Sequence, residues 1–575
     1  MMAKLQNLIY IVLIFLVGCQ GNRSFLNGGK DLFQAWQMDI ELRAFPGTFS
    51  RDPDNRVIVL EGLANEVLSA QVIVRGKSDI KGLSGQLSDL TGSAGGTIPA
   101  GRVRYGAYLP VDETMTLTAD PLMEVDALDV PANIAQSVWL TIKVPTETAP
   151  DQYRGELRLS APGQQEVFDL QLEVLPGMLS DPSDWSFYLN IWQDPSGVAR
   201  AHQVEVWSDE HWAFLEDYAH NFVAHGMDVI TASIVYDPWD SQTGYPYHTM
   251  VEWNYPGAYE LGGADQFSWD FSIFDRYVEL MIAAAMDEKI DCFSMVKGPW
   301  ITTKADIRYF DTESGHYRTV ISTLGDAPWR EIWSAFLPVF KAHLIEKGWF
   351  DRTYLAFDEK PKDEMRVIYD FLIDEAPDFK VSIAGGYPGD ERKWSDEVIL
   401  HIDDLFDEEV LASYTPLIGK MRAEDRYISF YTACEPYYPN VFLFSQLREA
   451  RLLPWLAWKH NLSGYLRWAV SAFPEDVWTQ PNYKWHSGDM YFVYPGEEGP
   501  LDGMRWELFR QGIQDYEALG IAQELAEKAG REDLLKRLDS AVSVATTLDD
   551  CHHYPYVGEA RTMVNEVLRE FGRDQ

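Results

Sequence analysis

Between residues 33 and 176 the chain alternates apolar and polar positions in short runs, which turn-forming residues separate. Clear examples are residues 56–60, 67–74, 138–144, 155–159 and 168–174. Alternation places successive side chains on opposite faces of a strand, so each run predicts a half-buried strand, and the series predicts a β-sandwich. No group of residues in this region suggests catalysis. We therefore interpret residues 33–176 as an accessory domain.

From Trp185 onward the pattern changes to short apolar runs that alternate with helical segments. Helices are predicted at residues 209–225, 271–286 and 329–347. Strands are predicted at residues 185–192, 229–235, 292–296, 353–357, 380–384, 399–403, 426–431 and 464–470. Because the count of strands approaches eight, the pattern predicts an α/β barrel of the TIM-like (β/α)8 type over residues 183–500. A doubly wound open sheet is the alternative.

Helical spacing of apolar residues dominates the last part of the chain, residues 501–575. It is clearest at residues 504–513, 522–529, 534–538 and 564–571. We predict a C-terminal helical segment that packs on the barrel. Arg505, Glu507 and Asp515 lie at the start of this segment, and we interpret them as a buried ion network at its junction with the barrel.

Residues 1–18 have the pattern of a lipoprotein signal peptide. An apolar run at residues 8–17 is too short to span a membrane and ends in Leu16-Val17-Gly18-Cys19, which resembles a bacterial lipobox. We predict cleavage before Cys19, acylation of this cysteine, and a flexible tether over residues 19–32. The protein would then cross the inner membrane and be anchored to a membrane, at the outer membrane, the cell surface or the periplasmic face. The alternative is an ordinary signal peptide with an incidental cysteine.

The net charge and the composition of the chain indicate which classes of molecule it can bind. The chain has 89 acidic and 48 basic residues and a formal net charge of -41. This charge argues against nucleic acid as a partner and suits a neutral substrate. Aromatic residues make up 13% of the chain, with 20 Trp and 29 Tyr, which fits a cleft that stacks sugar rings.

Cysteine and histidine usage predicts neither a cofactor nor a metal. Cys292, Cys434 and Cys551 are widely spaced, and His552-His553 lacks a recognisable ligand spacing. No phosphate-binding glycine loop stands out either. The sequence does not indicate the oligomeric state.

The strongest candidate chemistry lies where the predicted strand at residues 354–357 ends in Asp358 and Glu359, with Pro361 directly after. In a parallel barrel, the carboxyl ends of the strands form the active site. Two adjacent carboxyl groups repel each other, so one is expected to be protonated and the other ionised near neutral pH, as cleavage of a glycosidic bond requires. The alternative is a structural acidic pair in a chain rich in acidic residues.

Several segments together resemble glycoside hydrolase family 123 and the related bacterial domain of unknown function 4091. They are FDEKP at 357–361, YTACEP at 431–436, GYLRWA at 464–469, GDMYFVYPG at 488–496 and RWELFRQGIQDYE at 505–517. The resemblance runs from Trp185 to the C-terminus, and an N-terminal sandwich is the usual companion in that family. It implies a retaining enzyme of the β-N-acetylgalactosaminidase type, in which the 2-acetamido group of the substrate is the nucleophile.

This resemblance also implies roles for the acidic pair. Glu359 would protonate the leaving oxygen and later activate water, and Asp358 would bind the acetamido N–H and stabilise the oxazolinium intermediate. Because no carboxylate has to reach the anomeric carbon, two adjacent residues are sufficient. A hydrogen-bond donor to the acetamido carbonyl is also needed, and Tyr387, Tyr431 and Tyr491 are candidates by their positions near strand ends or in loops.

Two further residues are candidates for sugar binding. Trp468 follows the last predicted strand and is a candidate floor of the sugar site, or alternatively part of the barrel core. Asp489 lies in a Gly- and Tyr-rich loop, where it binds sugar hydroxyls or forms an Asx turn.

Two other functions remain open at this stage. One is a carbohydrate-binding surface lipoprotein that has the barrel without the chemistry. The other is a hydrolase of a different glycan, in which residues 236–266 wall an endo-acting cleft.

Overall fold

The computed structural model describes residues 32–50, 55–298, 302–385, 395–546 and 557–572. The predicted signal peptide and Cys19 lie outside these residues. Within the described part of the chain, no helix is both long enough and apolar enough to cross a membrane.

Two sheets, built from strands with the predicted alternation, form the N-terminal domain. In strand order, the first sheet consists of β1 (Phe33–Met38), β3 (Val67–Gly76), β10 (Ala135–Lys143), β7 (Arg102–Val111) and β8 (Thr116–Met123). The second consists of β2 (Val57–Ala64), β12 (Gln164–Met178), β11 (Asp151–Ala161), β4 (Ile80–Leu87) and β9 (Leu128–Val130), with the short β5 (Leu90–Gly92) and β6 (Thr97–Ile98) at one side. In β11, Leu157 and Leu159 are buried while Arg158 between them is exposed. The predicted β-sandwich is confirmed.

Eight parallel strands form a nearly closed barrel. In chain order they are β13 (Tyr188–Ile191), β14 (Val229–Ser233), β17 (Lys289–Phe293), β20 (Thr353–Asp358), β21 (Lys380–Ala384), β22 (Glu397–His401), β23 (Ile428–Tyr431) and β24 (Gly464–Arg467). Their spatial order is β13-β24-β23-β22-β21-β20-β17-β14. A parallel bridge from Leu189 to Met227 brings the two end strands together. The TIM-like barrel is therefore confirmed, and the open-sheet alternative is wrong.

Helices cover the outside of the barrel. They are Pro195–His202, Asp209–Val223, Ser272–Ala283, Ala327–Lys347, Lys362–Glu375, Ile402–Phe406, Glu408–Ala423 and Leu447–Lys459. Local sequence explains their ends: the side chain of Asp326 accepts a hydrogen bond from the Trp329 N–H at the start of Ala327–Lys347, and Gly348 ends this helix with a φ of 75°.

The C-terminal segment consists of Met504–Lys528, Glu532–Ala545 and Val557–Gly572. Met504–Lys528 is one continuous helix, although the sequence pattern predicts two separate pieces. It is continuous because it is buried between the sandwich and the helix Leu447–Lys459. At Gly512 the two helices are so close that a Cβ atom would lie 2.5 Å from the Arg451 carbonyl oxygen.

The predicted ion network is present and extends further than the sequence indicates. Arg505 Nε lies 3.0 Å from Asp120 Oδ2, and Glu507 Oε1 lies 2.8 Å from Arg104 Nη2. Asp120 and Arg104 belong to the sandwich, so these buried pairs join it to the C-terminal helix. Asp515 pairs with Arg451 and Arg561.

A small sheet on the barrel was not predicted. It consists of β16 (Ser268–Asp270), β15 (Glu252–Tyr255), β18 (Ile307–Asp311) and β19 (His316–Val320), and β25 (Val493–Pro495) pairs separately with β26 (Pro500–Asp502). Strands of three to five residues are too short to show a clear period in sequence.

Candidate active site

An open cavity with an empty volume of about 450 Å³ lies at the carboxyl ends of the barrel strands. Small residues help to make this space, because Ala356 on β20 and Ala384 at the end of β21 face the cluster of apolar side chains at its floor. The lining residues are Trp192, Gln242, Asp358, Glu359, Ala384, Tyr431, Thr432, Ala433, Cys434, Leu466, Trp468, Trp485 and Asp489. The barrel therefore places its concave site where the acidic pair was expected.

Asp358 points into the barrel because side chains alternate along β20. Leu355 and Phe357 pack in the main core, whereas Asp358 lines the cavity and Ala356 packs in a smaller apolar cluster that shares residues with the cavity lining. Asp358 is 9% exposed, and its Oδ2 atom has no hydrogen-bond partner among the described residues. Burial, and then the neighbouring Glu359, raise the pKa of Asp358 well above its usual range.

Glu359 lines the same cavity although it follows Asp358 directly. Alternation alone would direct it to the opposite face, but the strand ends here and Glu359 has a φ of 43°, in the left-handed region. Its N–H donates to the Ala384 carbonyl oxygen at 2.9 Å, and its Oε1 accepts from the Tyr431 hydroxyl at 2.5 Å. Such a conformation costs about 1–2 kcal/mol for a non-glycine residue, and strained residues of this kind concentrate at functional sites.

Lys360 is a buried cationic residue next to Asp358 and Glu359 in the sequence. Its Nζ donates to the carbonyl oxygens of Lys297 and Thr302 at 2.9 and 3.1 Å. Burial lowers the pKa of Lys360 to about 8, and its charge opposes the rise in the pKa of Asp358.

Asp489 and Trp468 form the opposite part of the cavity. Asp489 is 1% exposed; its Oδ1 accepts from the Trp468 indole at 2.9 Å and also from Arg467. Its Oδ2 atom has no partner within the described part of the chain. Arg467 is in turn fixed by the carbonyl oxygen of Thr432 at 2.7 Å. A buried hydrogen-bond acceptor held beside an indole ring suits a ligand that has both polar groups and apolar faces.

The structure describes two of the three candidate tyrosines and places them differently. Tyr431 lines the cavity, but the only proton of its hydroxyl is donated to Glu359. Tyr491 is fully buried outside the cavity lining, and its hydroxyl donates to the Pro481 carbonyl oxygen at 2.9 Å. This placement does not support a substrate contact for Tyr491. Tyr387 lies outside the described residues.

Several lining residues of the cavity were not predicted as site residues, among them Trp192, Gln242 and Trp485. Trp192 directly follows β13, and this position at the carboxyl end of a predicted barrel strand was an available signal. Its indole nitrogen is buried and has no partner in the described ranges. Gln242 lies in the segment 236–266, which only the alternative of a hydrolase of a different glycan placed at the wall of the cleft. Its backbone carbonyl accepts from the Trp485 indole at 2.9 Å.

Away from the cavity, His225, Asp502 and Glu507 have ligand atoms within 4.8 Å of one another. Arginine side chains already neutralise these carboxylates, since Arg104 contacts both and Arg510 contacts Glu507 at 2.5 Å. Burial also lowers the pKa of His225 to about 4, so this histidine is neutral at pH 7. A cluster that holds two guanidinium groups is an ion network and suits a metal poorly.

Two family models match the chain: the glycoside hydrolase 123 catalytic domain at residues 192–522 and the glycoside hydrolase 123 N-terminal domain at residues 49–161. Every lining residue of the cavity lies within the first match. A search of curated proteins finds no match.

Among solved structures, a family 123 glycoside hydrolase from Clostridium perfringens, studied for glycolipid glycan hydrolysis, has a TM-score of 0.81 at 20% identity. The match covers 95% of this chain and 98% of that chain. A β-glucuronidase from Parabacteroides merdae has a TM-score of 0.29 at 9% identity, over 84% of this chain and 52% of that one. The first of these similarities supports the whole architecture, and the second is too low to carry an argument.

Proposed function

The chain belongs to glycoside hydrolase family 123 and is therefore a glycoside hydrolase, and from this premise we propose that it releases β-linked N-acetylgalactosamine, or a related 2-acetamido sugar, from glycans. The observation that carries the proposal is the pair Asp358 and Glu359 on one strand end, with a buried Asp358 oxygen that lacks a partner among the described residues. An acetamido N–H is the kind of donor that this oxygen can accept.

The proposed reaction retains the configuration of the sugar in two steps. First, the acetamido carbonyl oxygen attacks the anomeric carbon, the bond to the leaving oxygen breaks, and Glu359 gives its proton to that oxygen. The oxazolinium intermediate carries a positive charge, which the carboxylate of Asp358 stabilises through the ring N–H. Second, water attacks the anomeric carbon, Glu359 takes the water proton, and the acetamido group is restored.

The electrostatics of the pair fit this sequence of steps. In the free protein, burial and the neighbouring Glu359 raise the pKa of Asp358 and so favour its protonated form. When the acetamido N–H donates to Asp358, it stabilises the ionised form of this residue. The proposed mechanism then uses Asp358 as the carboxylate and Glu359 as the acid that protonates the leaving group.

We propose that Asp489 and Trp468 bind the sugar itself. The unpartnered Oδ2 of Asp489 accepts from a sugar hydroxyl, and the Trp468 ring packs against a C–H face. Arg467 donates a hydrogen bond to Asp489 and holds it in place. Because these contacts are the same before and during the reaction, they contribute to affinity more than to turnover.

We also propose which residue donates a hydrogen bond to the acetamido carbonyl. Tyr431 donates its only hydroxyl proton to Glu359, whereas the buried Trp192 indole N–H has no partner within the described residues. We favour Trp192 over Tyr431 for this contact on that ground, with Tyr387 as the other candidate.

The localisation proposed is that of a lipoprotein anchored through Cys19. The lipobox-like Leu16-Val17-Gly18-Cys19 supports it. Incorporation of labelled fatty acid into the wild type but not into Cys19→Ser tests this anchor.

Chromogenic β-N-acetylgalactosaminide and β-N-acetylglucosaminide substrates test the proposed activity. We expect turnover of at least one of them and competitive inhibition by a thiazoline analogue of the intermediate. In Asp358→Asn, we expect turnover to be lost and the thiazoline to bind much less tightly. Asp351→Asn is the matched control, because Asp351 is exposed just before the other end of β20. Folded protein that turns over neither substrate and leaves defined glycans intact would contradict the proposal. If it binds such glycans equally well as wild type and as Asp358→Asn, it is the carbohydrate-binding alternative.

A further inference from the structure

The sandwich touches a loop of the active site through the tip of one hairpin. Strands β7 and β8 are joined by residues 112–115, and Glu113 in this tip contacts Ser487 of the barrel domain. Glu113 Oε1 accepts from the Ser487 N–H at 2.8 Å, and Oε2 accepts from the Ser487 hydroxyl at 2.7 Å. The neighbouring Asp112 accepts from the Asn482 side-chain amide at 3.0 Å.

The contacted loop, residues 481–489, carries two residues of the cavity. Trp485 lies two positions before Ser487, and Asp489 lies two positions after it. Ser487 is fully buried, whereas the side chain of Glu113 is 23% exposed. The hairpin tip therefore covers the loop from outside while the loop presents Trp485 and Asp489 to the cavity.

The hydrogen bonds from Ser487 to Glu113 are charge-assisted and therefore strong. Burial raises the pKa of Glu113, but the amide and hydroxyl of Ser487 outweigh it and hold the pKa below its usual range. Hydrogen bonds to an ionised carboxylate are about twice as strong as neutral ones. His486 Nδ1 also lies 3.5 Å from Glu113 Oε1.

We propose that Glu113 is a positioning residue of the active site, through which the N-terminal sandwich holds the loop 481–489 in its sugar-binding conformation. The sandwich thus completes the site instead of serving only as an attached module. The inference rests on the proposed function only in that Asp489, which this loop carries, binds the sugar; the ordering of the loop by Glu113 stands independently of it.

The test compares full-length Glu113→Ala with Asp129→Ala. Asp129 is a matched control, because it also accepts one backbone N–H, from Gly82 at 2.9 Å, and one side-chain donor, from Lys81 at 3.0 Å, in the same domain. Two measurements are made on each protein: hydrogen exchange of peptides that cover 481–489, and KM and kcat for the aryl glycoside.

We expect exchange in the loop of Glu113→Ala to be about tenfold faster than in wild type, with unchanged exchange in the barrel strands. KM should rise by about tenfold while kcat stays within about twofold, because uniform sugar binding is lost. Glu113→Gln, which retains one acceptor oxygen, should lie between Glu113→Ala and wild type. Asp129→Ala should match wild type in both measurements.

Unchanged exchange in the loop of Glu113→Ala overturns the proposal, as does faster exchange spread evenly over the protein. If Glu113→Ala does not fold, the same two measurements, hydrogen exchange in the loop and the kinetic constants, are made on Glu113→Gln and Ser487→Ala to test the proposal. If the wild type hydrolyses no glycoside, the proposed function fails, and the exchange data alone then decide the role of Glu113.

Discussion

Replacing Asp358 by asparagine should stabilise the protein while it removes activity, and the gain in stability should depend on pH. In the unfolded chain this carboxyl group ionises near pH 4. In the folded protein its pKa is raised, first by burial and then by Glu359. Asparagine has nearly the shape of the protonated acid and is neutral at every pH, so the variant does not bear the cost of ionising this buried group.

The sign follows from proton binding. Between the unfolded and the folded pKa, the folded wild type binds more protons than the unfolded chain, so its free energy of unfolding falls as pH rises. The slope is at most about 1.4 kcal/mol per pH unit. Below the unfolded pKa, Asp358 is protonated in both states and does not change the free energy of unfolding with pH. Above the folded pKa, it is ionised in both states and its contribution to the free energy of unfolding is constant. The stability difference between variant and wild type should therefore grow with pH and then level off.

The magnitude follows from the surroundings of Asp358. An unsatisfied buried group costs about 1–3 kcal/mol, and more when it is charged. Asparagine retains the cost of a neutral polar group and avoids only the additional cost of the charge, part of which Lys360 already offsets in the wild type; we take this additional cost to be about 1–3 kcal/mol. At roughly 2 °C per kcal/mol for a large domain, we expect Tm to rise by about 2–6 °C at pH 8 and to change little near pH 4. Activity on both aryl and natural glycosides should fall by about 10²–10³-fold, because one preorganised electrostatic partner is lost.

The assay is thermal unfolding of wild type, Asp358→Asn and the exposed control Asp351→Asn across a pH series. The control should shift Tm equally at every pH. A gain for Asp358→Asn that is the same at pH 4 and pH 8, or a loss of stability at pH 8, would refute the reasoning about the buried charge.

Three further outcomes are expected from the same site. Glu359→Gln should slow substrates with poor leaving groups by about 10²–10⁴-fold and aryl glycosides with good leaving groups far less; equal losses in steady-state rates would contradict its role as the acid. Tyr431→Phe should lower kcat by about tenfold, because a hydrogen bond that orients Glu359 is lost, and an unchanged kcat would remove Tyr431 from the mechanism. Asp489→Asn should raise KM by about tenfold with little change in kcat; if a 2-fluoro sugar instead labels Asp489 covalently in mass spectra, the substrate-assisted mechanism is wrong.

The positions of the barrel strands could be predicted because each is a short apolar run that ends at polar or turn-forming residues. The stop at Asp358 is the clearest case, since the chain changes within one residue from Phe357 to two acids. Asp489 and Trp468 could also be predicted as candidates, because each lies in a loop or at a strand end on the same side of the barrel. These features are local in sequence, and the closed barrel then brings them together.

Features that depend on distant contacts could not be predicted. Tyr431 and Tyr491 occupy similar positions in the sequence, and only the fold shows that one reaches Glu359 while the other is buried against Pro481. Gln242 enters the cavity from an inserted segment whose strands are too short to show a period. Glu113 lies 374 positions before Ser487 in a domain without any catalytic pattern, so no local signal connects it to the site.

The left-handed conformation of Glu359 would allow two adjacent acids to act on one sugar, as the proposed mechanism requires. In a regular strand, neighbours point to opposite faces, and two carboxylates on one face would be two positions apart. With a φ of 43° at the strand end, Glu359 turns into the cavity beside Asp358 and is held there by Tyr431. Two adjacent residues would lie on the same side of the sugar. Either acid could then transfer a proton, but neither would reach the opposite face of the anomeric carbon. A nucleophile supplied by the substrate itself removes that need, so the backbone conformation and the acetamido mechanism support each other.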